Sequence, residues 1–111
     1  MGIAISGVKL MWMIVMFDLP VGTAKERKKA TKFRDFLLDE GFSMSQFSVY
    51  MKFCGTKEQT APVIKRIVNN APKTGNISIL FFTDKQFSDI INIQNREIIE
   101  NKNIPEQLML L

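Results

Sequence analysis

The sequence predicts an α/β (α+β) two-layer sandwich, and three features of its 111 residues carry that expectation. Residues 10–17 (LMWMIVMF) form an unbroken apolar run, too hydrophobic on both sides for anything but a central strand. Two amphipathic stretches of helical period follow, alternating with strand-like segments in the order β-α-β-α-β. A hydrophobic fraction of 46% supports one packed core, and the length allows one domain.

The elements follow in order. The apolar run ends at Asp18-Leu19-Pro20, where Pro20 and Gly22 stop the strand and begin a loop. Thr23-Ala24-Lys25-Glu26 matches a capping box, in which the Thr23 hydroxyl accepts the Glu26 amide and the Glu26 carboxylate reaches back. The helix it opens runs to about Glu40, with Gly41 as the C′ residue. Ala30, Phe33 and Leu37 share its core face, flanked by Phe36 and Leu38. Residues 42–53 alternate as a strand with one core face, or as two shorter pieces kinked near Ser45, with Phe47, Val49 and Met51 on the core side and Gln46, Ser48 and Tyr50 on the polar side.

Thr56 is expected to cap a second helix whose apolar stripe is Val63, Ile64, Ile67 and Val68, ending near Asn69-Asn70. Gly75-Asn76 opens a third strand over residues 77–82. Thr83-Asp84-Lys85-Gln86 then repeats the capping-box pattern and starts a short helix through Asp89. Residues 90–93 can extend as a strand, residues 94–106 read as polar loop, and residues 108–111 (LMLL) form an apolar end. The expected division is an extension over 1–9, a domain over 10–93 and a tail over 94–111.

This order describes a ferredoxin-like arrangement, an antiparallel sheet with both helices on one face. The other face is then bare. The first strand is apolar on both sides and the chain offers no spare element, so a second copy is the expected cover.

Composition narrows the chemistry. There is no histidine, so no imidazole can act as general base, metal ligand or triad member. The single cysteine, Cys54, excludes an internal disulfide and a cysteine-based zinc cage, which fits the reducing cytoplasm. The N-terminal stretch lacks a basic n-region, and its apolar run falls short of the ~20 residues a bilayer needs, so no membrane association is expected. Hydrolysis, if present, must use carboxylates with a hard, oxygen-liganded metal such as Mg²⁺. A net charge of +4 favours an acidic partner.

Three constellations stand out. Asp18 ends the buried strand, where a side chain is handed to a cleft edge. Two-fold pairing of that region would bring two such carboxylates together around a divalent cation, and the alternative is a turn-capping aspartate. Residues 25–34 carry six cations against Glu26 alone. Cations at a helix N-terminus oppose the macrodipole, and Lys25, Lys28, Lys29 and Lys32 share an outward face spaced to follow phosphates. The alternative is a solvated face with Lys28 and Lys32 paired to Asp35 or Asp39. Ser48 and Tyr50 could reach a phosphate or orient a metal-bound water, or be plain cross-strand partners.

Residues 13–20 (MIVMFDLP), 33–41 (FRDFLLDEG), 46–52 (QFSVYMK) and 75–87 (GNISILFFTDKQF) together resemble the small CRISPR-associated spacer-acquisition protein family, in its type II form. The resemblance runs in register from about Leu10 to Ile90. It implies a homodimer that exchanges C-terminal strands and sits between two dimers of the spacer integrase, with duplex DNA lying across the assembly. It also implies that Asp18 is the strand-end aspartate of Mg²⁺ binding and phosphodiesterase activity, with RNA as the other candidate substrate. A ferredoxin-like RNA-binding or regulatory module without metal chemistry is the competing expectation. RNA recognition would need aromatics on an exposed sheet face, and Tyr50 is the only polar aromatic in these strands.

Overall fold

The computed structural model describes residues 9–100. Its elements are β1 (Leu10–Asp18), α1 (Ala24–Asp39), β2 (Ser43–Gln46), β3 (Val49–Thr56), α2 (Thr60–Asn70), β4 (Asn76–Thr83), α3 (Asp84–Ser88), β5 (Asn92–Gln94) and β6 (Glu97–Ile99). A 3₁₀ turn over Lys57–Gln59 leads into α2. The first four strands form one antiparallel sheet in the order β2-β3-β1-β4, the ferredoxin-like topology. No helix among the described residues is long and apolar enough to cross a membrane.

The apolar run becomes the central strand because both of its faces are covered: Trp12, Met13, Ile14 and Val15 are all buried. Met13, Val15 and Phe17 face the helix layer. There Ala30, Phe33 and Leu37 of α1 and Val63 and Ile67 of α2 close the main core. Both capping boxes form, with the Thr23 and Thr83 hydroxyls each accepting an amide at 3.1 Å. Gly41 takes φ +95° and ends α1 in the left-handed conformation a Cβ resists. Leu38 and Val68, expected on the apolar stripes, are exposed.

Three expectations are corrected. Residues 42–53 divide into two strands, but not by a kink near Ser45: they reverse as the antiparallel hairpin β2–β3, turning at Phe47-Ser48 with Ser48 at φ 66°. The faces change with it: Tyr50, expected toward solvent, is 2% exposed in the core, and Phe47, expected inside, is 78% exposed. Residues 94–100 are not loop throughout, since β5 and β6 pair about Asn95 and Arg96, both at positive φ. The sheet's second face is also not wholly bare. The chain supplies α3, whose Phe87 is fully buried and stacks on Trp12 with ring centroids 3.7 Å apart. Ile14 and Met51 complete this second cluster. Residues 1–8 of the expected extension and the apolar end at 108–111 fall outside the described residues.

Candidate functional site

Asp18 is the last residue of β1 and is exposed, directly opposite Asn76 of β4. Side chains alternate along a strand, so Asp18 shares the face of Met16 and Ile14, away from α1 and α2. Its backbone is fixed from two sides. The Phe17 amide donates to the Ser48 carbonyl at 3.1 Å, which brings the β2–β3 turn to this end of the strand. On the other side Gly75, at φ +100°, lets the α2–β4 loop close in, where a Cβ would stand 2.9 Å from the Asp18 carbonyl oxygen.

Ser48 therefore lies near Asp18, whereas the Tyr50 ring turns inward against Phe17 at a centroid separation of 5.7 Å. That inward position corrects the expected solvent-facing one, and its cause is the hairpin, which flips the alternation. Other carboxylates do not join Asp18. Glu26 accepts the Thr23 amide at 2.9 Å, and Asp89 is bound by Lys85. Antiparallel pairing places Thr83 opposite Met11, so Asp84 and Asp89 stand at the far end of the sheet, roughly 20 Å away. Among the described residues no three His, Cys, Asp or Glu side chains gather as a metal site. One carboxylate, with water completing the shell, makes at most a weak site for Mg²⁺.

On α1 the lysines and arginines behave differently. Arg27 donates to the Val21 carbonyl at 3.0 Å, and Arg34 donates to Thr31 at 3.2 Å with its guanidinium 5.5 Å from the Phe47 ring centroid. Lys25, Lys28, Lys29 and Lys32 are exposed. Among the described residues the ion pairs are Arg66–Glu40 and Lys85–Asp89, so Asp35 and Asp39 neutralise none of the four. The other end of α1 is anchored. Arg66 Nε donates to both Glu40 oxygens at 3.0 and 2.9 Å, holding that carboxyl below its usual range, and Lys52 Nζ donates to the Glu40 carbonyl. Burial pushes the Cys54 thiol up, away from reactivity.

The helix layer also has a groove that the sequence did not announce. A hollow of about 240 Å³ lies beside Pro20, Lys25 and Lys29, and a second of about 370 Å³ is lined by Lys29, Lys32, Asn70 and Lys73. Lys73 belongs to the α2–β4 loop, and nothing local in the sequence ties it to α1.

The chain matches the family model described as CRISPR associated protein Cas2 over residues 11–90. A protein of Paracidovorax avenae named CRISPR-associated endoribonuclease Cas2 is 45% identical over 106 residues, spanning 96% of this chain and 98% of its own length. Proteins of the same name from Flavobacterium psychrophilum and Streptococcus mutans are 44% and 45% identical. They cover 90% and 91% of this chain, and 87% and 93% of their own lengths.

Proposed function

Because this chain belongs to the CRISPR-associated Cas2 family, we propose that it acts in spacer acquisition as a homodimeric clamp on duplex DNA, bridging two dimers of the spacer integrase. The observation that carries this reading is the row Lys25, Lys28, Lys29 and Lys32, exposed and without a carboxylate partner among the described residues. Lys25, in the first turn, opposes the positive partial charge at the N-terminal end of α1, and the four lysines repel one another. A phosphate backbone offsets both the repulsion and the dipole.

Dimerisation is supported by the apolar surface beyond α3. Ile91, Ile93 and Ile98 are exposed around the β5–β6 hairpin, and Met16 is exposed next to Asp18 on the open sheet face. A second copy laid against that face would cover Met16.

The relatives are named endoribonucleases, and for this chain hydrolysis rests on Asp18. Two Asp18 carboxylates, one from each copy, would hold Mg²⁺ more firmly than the single group that one chain supplies. With no histidine present, any proton transfer would fall to water and that carboxylate pair.

The test is duplex binding measured against salt. The logarithm of the affinity should fall steeply with log salt and show little sequence preference. Changing Lys25, Lys28, Lys29 and Lys32 together to Ala should flatten the slope by roughly 3–4 per subunit at about 0.9 per phosphate. Light scattering should show the dimer intact. An unchanged slope in the intact dimer would mean the row is only a solvated face.

A further inference from the structure

Resting on the reading that this chain binds a nucleic-acid backbone, we propose that one strand's phosphates run through the groove between α1 and the α2–β4 loop, gripped from opposite walls by Lys29 and Lys73. The two hollows adjoin, since Lys29 and Pro72 line both. Together they make a track along α1 from the Pro20 loop to the end of α2. The larger hollow, about 370 Å³, is within the range of ligand clefts, roughly 300–1,000 Å³.

Its charge is one-sided. Lys29, Lys32 and Lys73 line the larger hollow with no carboxylate among its walls. The one acid in the smaller hollow is Glu26, whose carboxylate already accepts the Thr23 amide at 2.9 Å. Like charges gathered around one concavity repel, and an anion between them relieves that repulsion.

A purely structural role accounts for part of this. The last turn of α2 contains no basic residue, and its free carbonyls face the same end of the layer. A helix C-terminus presents about half a negative charge. Three lysines exceed that several-fold and leave positive charge for a ligand. Asn69 and Asn70 line the wall as uncharged polar groups, and the Asn70 amide is already held by the Arg66 carbonyl at 2.8 Å. Three lysines, point charges suited to phosphate, dominate the walls, so the ligand is the phosphodiester backbone, taken largely independently of sequence.

Fluorescence titration of the full chain with a mixed-sequence duplex over a salt series tests the assignment. The variants are Lys29→Ala, Lys73→Ala and Lys65→Ala, the last removing an equal charge from an exposed position on α2 outside both hollows. Lys29→Ala and Lys73→Ala should each lower the log–log slope by about 0.9 per subunit, whereas Lys65→Ala should move it little. Equal slopes for Lys65→Ala and Lys73→Ala would reduce the groove to general charge and overturn the proposal. So would a Lys73→Ala variant that melts earlier with an unchanged slope, since Lys73 would then serve the α2 terminus. A steep wild-type slope unmoved by either groove variant overturns this inference alone. A wild-type chain with no salt-dependent binding overturns the functional reading and this inference with it.

Discussion

Truncating Phe87 should show how much of the second sheet face depends on a single side chain. Phe87 is fully buried, stacks on Trp12 with an interplanar angle of 2°, and is the one buried residue of the five-residue helix α3. Trp12 in turn meets Phe53 edge-on at 5.3 Å. Phe87→Ala removes a wholly enclosed ring, which costs about 3–5 kcal/mol, including the aromatic pairing. A helix of this length does not persist in water unaided, so α3 should leave the sheet and expose Trp12. Against a total stability of about 5–15 kcal/mol the loss is large. At about 4–8 °C per kcal/mol, even its lower bound lowers the melting temperature by roughly 12 °C. Trp12 is the only tryptophan, so its emission reports both the melt and the local exposure. Phe87→Leu, which refills most of the volume, should recover most of the loss. A Phe87→Ala variant melting within about 4 °C of wild type, with unshifted Trp12 emission, would refute the packing argument.

Two further outcomes follow from local geometry. Gly75→Ala places a Cβ 2.7 Å from Leu19 Cδ2 at φ +100°, so urea unfolding should show a loss of about 1–3 kcal/mol, and an unchanged midpoint would refute the close approach. Arg66 holds the Glu40 carboxyl below its ordinary value of 4.5, so the pair's contribution to stability is present above that pH and fades as pH falls through the lowered value. The difference in unfolding midpoint between wild type and Arg66→Ala should shrink on acidification below pH 4.5, and a pH-independent difference would count against the pairing.

The parts of the fold that could be read from sequence were those set by local chemistry. Both capping boxes, the Gly41 stop and the doubly buried β1 follow from residues a few positions apart. The β2–β3 hairpin did not show because its turn, Phe47-Ser48, carries none of the Asn-Gly or Asp-Gly chemistry that marks a two-residue connection. Ser48 takes φ 66° all the same, and the alternation then runs in the opposite sense on its two sides. That error put Tyr50 on the wrong face and hid the exposure of Phe47. The cation row of α1 was visible as composition. Lys73 was not, because its place in the groove depends on the α2–β4 loop meeting α1, a tertiary event with no local signature.

The two candidate features lie on opposite sides of the sheet, and this separates clamp from catalyst. By alternation along β1, Asp18 faces away from the helix layer, while the lysine groove lies within that layer. A phosphate held by Lys29 and Lys73 thus lies on the helix side of β1, and the Asp18 side chain is directed to the other side. Binding and hydrolysis should therefore be separable. Asp18→Asn should leave the salt slope of duplex binding unchanged, or tighten binding slightly, because it removes a negative charge from a chain of net charge +4. Any Mg²⁺-dependent phosphodiesterase activity should disappear with it. If the chain works as a clamp, spacer acquisition in cells carrying Asp18→Asn persists, while the four-lysine variant loses it. Loss of acquisition in Asp18→Asn, with the dimer and the salt slope both intact, would place the carboxylate's chemistry in the pathway and sink the clamp reading.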